Sequence, residues 1–124
     1  KGQHPLHILG DGSQIRHYTY GADLAQGVLL AMENPRALNE DFNLSTVQST
    51  TVLRLAELIW RKIRGTDTPF EYVSDPPFEY DVQRREPATE KAKRVLGFEA
   101  TTTLDAMLDQ VIPWIREAIR TGRI

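Results

Sequence analysis

The chain has 124 residues, a formal net charge of -2 and no cysteine, and 40% of its residues are apolar. That is enough chain for a domain with a core, but its charge gives no global field to recruit nucleic acid or an anionic membrane, and disulfides and thiolate metal sites are excluded. No apolar run approaches the ~20 residues of a membrane span and no signal-peptide pattern is visible, so the expected compartment is the cytoplasm.

Lys1 to Leu9 reads as an extended entry strand, with Pro5 tolerated at a strand start or edge. His4 and His7 have no third ligand at useful spacing, so no metal site is expected there. Gly10-Asp11-Gly12 is a turn between the apolar runs Leu6 to Leu9 and Ile15 to Tyr20. After the turn, Ile15, His17 and Thr19 alternate with Arg16, Tyr18 and Tyr20. A strand would put Arg16, Tyr18 and Tyr20 on one face. A guanidinium beside two phenols suits an anionic, ring-bearing ligand; the same pattern also fits a half-buried hairpin with its arginine in solvent.

Asp23 to Glu33 reads as a helix whose apolar face is Leu24, Val28, Ala31 and Met32, ended by Asn34-Pro35. Asp41 to Ser45 reads as a short strand with Phe42 and Leu44 on one face. Gln48 to Thr51 supplies hydroxyl caps for a helix with the stripe Val52, Leu55, Ala56, Ile59, Trp60 and Ile63, stopped by Gly65. That stripe is expected to be core rather than ligand site. Phe70 to Val73 reads as a strand, followed by a proline-rich loop from Asp75 to Asp81. Thr89 caps a short helix that ends at Gly97, and Lys91, Lys93 and Arg94 read as its solvated face. Thr102 to Asp105 fits a capping box for a last helix carrying Leu104, Leu108, Val111, Ile115 and Ile119. Pro113 should break into and kink that helix, and Trp114 beside it should pack on the core.

Four co-linear segments carry a resemblance. Gly10 to Asp23 resembles Gly-Asp-Gly-x-x-x-Arg-Asp-(Phe/Tyr)-x-(Tyr/His)-Val-x-Asp. Asp41 to Ser45 is similar to Tyr-Asn-(Ile/Leu)-Gly/Ser, Asp81 matches the aspartate of an Arg-x-x-Asp loop, and Thr89 to Phe98 resembles Asp-x-x-Lys-Ala-x-x-x-Leu-Gly-(Trp/Phe). These segments are characteristic of extended short-chain dehydrogenases/reductases, the NAD-dependent nucleotide-sugar epimerases and dehydratases. The departures are Leu9 in place of a base-stacking tyrosine, Gly21-Ala22 in place of valine and a polar cap, and Phe78 in place of the loop arginine.

The resemblance implies an α+β fold: residues 1–124 as a single, mainly helical C-terminal substrate-binding domain with short strands, without the N-terminal Rossmann half of the parent. The first residue, Lys1, is not methionine, which fits the loss of an upstream part. It further implies that Arg16, Tyr18 and Asp81 contact a nucleotide-diphosphate sugar, that Leu6 and Ile8 run beside the base, and that Arg84 or Arg85 replaces the missing phosphate arginine. NAD or NADP would belong to the full-length parent, with no cofactor in this part. Gly10 and Gly12 lack the third glycine of a dinucleotide turn and precede a strand. None of Tyr18, Tyr20, Tyr72 or Tyr80 has a lysine four residues later, so the family's catalytic Tyr-x-x-x-Lys is not expected here. The different-class alternative is a stand-alone, non-catalytic binding or oligomerisation module built on the same fold. The strand at Phe42 and Leu44 would pair with the lost half, so self-association through bare edges is also expected.

Overall fold

The computed structural model describes residues 4–124 as four α-helices and short strands in two-stranded sheets, a small α+β arrangement. Internal contacts gather into two compact units: residues up to His17 with Gln48–Glu86, and Tyr18–Val47 with Pro87–Ile124.

In the first unit, strand β1 (Leu6–Leu9) pairs in parallel with the strand Tyr72–Asp75, in the register Leu6↔Tyr72 to Leu9↔Asp75. The Asp-Gly turn follows. Asp11 accepts a 2.9 Å hydrogen bond from the Ser13 amide, and Gly12 has φ 77°. A side chain at Gly12 would put its Cβ 2.9 Å from Leu53 Cβ, so glycine serves both the backbone angle and the close approach. Strand β2 is Ile15–Arg16, paired antiparallel with β3, Thr50–Thr51. It stops at Arg16 and not at Tyr20, because its ladder partner is only two residues long. The alternation of Arg16, Tyr18 and Tyr20 on one strand face is therefore lost.

Helix α1 spans Gly21–Glu33 and belongs to the second unit. Helix α2 is Val52–Arg64 in the first unit. The Thr51 hydroxyl accepts from the Arg54 amide at 3.1 Å, as the cap reading requires. The turn satisfies two more of its free amides: Val52 N donates to Gln14 O (3.0 Å) and Leu53 N to Gly12 O (2.9 Å). Gly65 ends the helix at φ 82°. Strand β4 is Tyr72–Asp75, two residues later than expected, since pairing with β1 sets its position. Phe70, left outside the ladder, stacks on Tyr72 (ring centroids 5.6 Å) and meets the Trp60 ring edge-on (6.0 Å).

The core of the second unit is Ala92, Leu96 and Phe98, with Leu30, Ala31, Phe42 and Leu44 packed against it. Of the expected apolar face of α1, only Ala31 joins this core. Leu24 and Val28 are nearly half exposed and Met32 is 78% exposed. The helix is apolar around most of its circumference, so periodicity does not select a buried side. Gly27 selects it: a Cβ there would lie 2.9 Å from the Phe98 ring and 3.0 Å from Leu44 Cδ1. Gly27→Ala gains about 1 kcal/mol of helix propensity but forces a buried ring to retreat, at about 1–3 kcal/mol. The expected result is a net loss of stability, read as a melting temperature lower by a few degrees; a raised one would show that the ring yields freely.

No strand forms at Asp41–Ser45. Phe42 and Leu44 do reach the core as their alternation suggests, but no strand among the described residues lies beside them to complete a ladder. The Thr46 amide bonds to the Thr19 hydroxyl instead (3.0 Å). Helix α3 is Glu90–Leu96. Thr89 occupies its cap position with helical backbone angles, and its hydroxyl makes no capping bond. Gly97 closes it in the left-handed region at φ 71°. Lys91 is not simply solvated: its ammonium bridges Glu40 (2.8 Å) and Asp41 (3.2 Å) and lies over the Phe42 ring. The Lys91 hydrogen bond holds the Asp41 carboxyl below its usual range, and Glu40 chiefly raises Lys91.

Helix α4 is Leu104–Arg120 and runs through Pro113 as one element. Its cap is Thr103, one residue later than the capping-box reading, because Thr102 is taken up by Asp23: the carboxylate accepts from its amide (2.9 Å) and its hydroxyl (2.8 Å). Leu104 and Leu108 are buried, but Trp114 is 58% exposed and Ile119 54%. Trp114 therefore does not pack on the core, although Ala118, one turn further on, is 1% exposed. Among the described residues no helix is long and apolar enough to cross a membrane, and no group of three His, Cys, Asp or Glu could hold a metal.

Candidate functional site

A cavity of about 740 Å³ lies within the first unit. One wall is β1, with Leu6, His7, Ile8 and Leu9; the other is the apolar stripe of α2. Only Trp60 is buried among the residues of α2, so the stripe is half-wet lining rather than closed core. Gln14, Arg16, Phe78 and Asp81 supply the rest of the rim, apart from Arg64 at the far end of α2.

The polar centre of the rim is a network. Arg16 donates through Nη2 to Asp81 Oδ1 at 3.1 Å and through Nη1 to the Ile15 carbonyl at 2.8 Å. The two side chains are 24% and 18% exposed, so the pair is partly shielded yet reachable. Gln14, only 4% exposed, donates through Nε2 to the other Asp81 oxygen (2.9 Å) and to Leu9 O (3.0 Å). Its Oε1 is buried with no hydrogen-bond partner. The antiparallel pair β2–β3 places Arg16, the Asp-Gly turn places Gln14, and the proline-rich loop brings Asp81 across from far along the chain. A planar fork held by two acceptors is prepared to receive an anion with little loss of rotamer freedom.

Of the residues singled out from the sequence, Leu6, Ile8, Arg16 and Asp81 come together at this cavity. Tyr18 belongs to the second unit and does not line it. Arg84 is not brought there either: its guanidinium is forked on Glu86 (2.8 Å through Nη2), and its backbone bridges Ile15. That hydrogen bond lowers the Glu86 carboxyl and raises Arg84. Arg85 contributes a backbone bond to Ile15. Phe78 is on the rim in the place of the expected arginine.

Sequence reasoning missed Gln14, which looked like one polar residue in a turn. It also missed His7, which is among the residues lining the cavity and whose Nδ1 lies 3.0 Å from both Asp75 oxygens. Their separation of 68 residues left no local signal for that pair. The turn after β1 leads into β2 and not into a helix, so it offers no helix N-terminus to a dinucleotide pyrophosphate.

Residues 1–45 match the NAD dependent epimerase/dehydratase family. UDP-glucuronic acid decarboxylase 1 of Arabidopsis thaliana is 31% identical over 117 residues, which are 94% of this chain and 26% of that protein. A putative UDP-glucose 4-epimerase of Methanocaldococcus jannaschii is 32% identical over 98% of this chain and 37% of its own length. The crystal structure of a UDP-glucose 4-epimerase from Thermotoga maritima with UDP-glucose matches with a TM-score of 0.77 and 36% identity, over 92% of this chain and 35% of that one. An epimerase of Methanothermobacter thermautotrophicus matches with a TM-score of 0.83 and 28% identity, over 96% and 35%. The chain thus spans about a quarter to a third of the length of these relatives. By sequence and by fold, it is similar to one part of the NAD-dependent epimerase/dehydratase proteins, and it is to that family that its four signature segments relate it.

Proposed function

We propose that this chain is the nucleotide-sugar-binding part of an NAD- or NADP-dependent epimerase or dehydratase. Arg16 carries the reading: a partly shielded guanidinium, oriented by Asp81 and the Ile15 carbonyl, at the rim of a cavity of ligand size. Its fork suits a diphosphate. In this reading Asp81 turns toward a ribose hydroxyl when the anion arrives, and Leu6 and Ile8 flank the base. The UDP-glucose named with the Thermotoga structure supports the ligand class. The cofactor and the Tyr-x-x-x-Lys chemistry would belong to a Rossmann half of the same parent. The bare apolar side of α1, with Leu24, Val28, Leu29 and Met32, supports a further domain or a second copy covering it.

Phe78 favours a second reading. With a ring in place of the second phosphate cation, the fold could serve as a binding or oligomerisation module without catalysis. Calorimetry with UDP-glucose, UDP and glucose tests the first. UDP-glucose and UDP should bind and glucose alone should not; absence of UDP binding by the folded chain would remove the nucleotide-sugar reading.

A further inference from the structure

Asp81 lies outside any helix or strand, so its carboxylate is oriented by the groups that bond to it. Its two oxygens are divided: Arg16 holds Oδ1 and Gln14 holds Oδ2. An anion that takes the Arg16 fork removes the first bond and leaves the second. The Gln14 amide is itself fixed. Both protons of Nε2 are used, one on Asp81 and one on Leu9 O, and the reversed amide would set an oxygen against these same two acceptors. A side chain at Gly10 would bring its Cβ within 2.8 Å of Nε2, so the turn keeps space for this amide. Oε1, at the same end of a side chain that is 4% exposed, is left without a donor. A hydrocarbon of the same volume would avoid that desolvation cost. The fold accepts it at a position whose Nε2 grips Asp81, which points to a role in the site and not in packing.

We propose that Gln14 is a positioning residue for ribose recognition: it holds Asp81 by Oδ2 after the diphosphate has drawn Arg16 away, and so aims the freed Oδ1 at a ribose hydroxyl. Asp81 makes the contact and Gln14 acts through it. This inference rests on the nucleotide-sugar reading, and it names the atom that separates a ribonucleotide from one without ribose hydroxyls. The turn of Asp81 toward the ligand is then a pivot about the bond to Gln14, not a free swing of the loop side chain.

The probes are UDP and dideoxyuridine diphosphate, which share base and phosphates, so the ratio of their dissociation constants isolates the hydroxyl contact. The wild-type chain should prefer UDP by about tenfold or more, the scale of one hydrogen bond to a charged group. Gln14→Met, similar in volume but without donors, should bring the ratio close to one. Asp81→Ala should do the same, and the double variant should lose no more than either alone, because the two residues act as one unit. A merely structural role for Gln14 would weaken both ligands alike and leave the ratio in place. UDP bound with an unchanged ratio in Gln14→Met, or a wild-type ratio near one, overturns this proposal alone. No UDP binding by the wild-type chain removes the nucleotide-sugar reading and this inference with it. If Gln14→Met does not fold, amide exchange in the wild-type chain decides, followed by NMR. The Gln14 side-chain protons should stay protected when UDP is added; faster exchange on UDP binding would show that Gln14 releases Asp81 and would overturn the proposal.

Discussion

Phe98→Ala is expected to cost about 3–5 kcal/mol of stability, the range for removing a buried aromatic side chain. The ring is 3% exposed, beside Ala92 and Leu96 of α3, and it fills the space that Gly27 leaves open on α1. Leu44 meets the same spot from the Asp41–Ser45 segment, so one side chain joins three parts of the second unit. With few fully buried large residues nearby, little can collapse into the void. Against a total stability of about 5–15 kcal/mol, the loss should appear as a large drop in the urea midpoint. A change below about 1 kcal/mol would mean that the contact with Gly27 does not anchor the unit.

Arg16→Ala should weaken UDP-glucose binding by about 1.5–3 kcal/mol, the scale of a hydrogen bond to a charged group. That is roughly a tenfold to hundredfold rise in Kd by calorimetry. Arg16→Lys keeps the charge but loses the planar fork, and should fall between alanine and wild type. Alanine also leaves the Asp81 carboxylate without its cation. Asp81→Asn is the companion variant: it frees the guanidinium from its internal competitor but removes the charge offered to the ribose hydroxyl, so it should weaken UDP-glucose binding less than Arg16→Ala does. Unchanged affinity in a folded Arg16→Ala variant would sink the assignment of Arg16 to the diphosphate.

Much of the local structure was legible because its causes are local. The Asp-Gly turn, the Thr51 cap, the stops at Gly65 and Gly97 and the extents of α2 and α3 depend on residues within a few positions of each other. The segments Gly10 to Asp23 and Asp41 to Ser45 likewise lie within residues 1–45, the part that matches the NAD dependent epimerase/dehydratase family.

What failed depended on distant partners. Phe42 and Leu44 alternate as a strand should, but a strand also needs a neighbour for its N–H and C=O groups, and alternation cannot provide one. Thr102 looked like the cap of α4 until Asp23, 79 residues away in sequence, took its amide and hydroxyl and left the role to Thr103. The apolar circumference of α1 left its buried side undecided until Phe98 docked at Gly27. At the site, the sequence named Arg16 and Asp81 separately. Only the folded chain brought them to 3.1 Å, held Asp81 from its other oxygen through Gln14 and sent Arg84 to Glu86. Sequence determined which groups could bond and which angles the backbone could take; tertiary structure decided among competing partners, because a polar group satisfied by one neighbour is no longer available to the next.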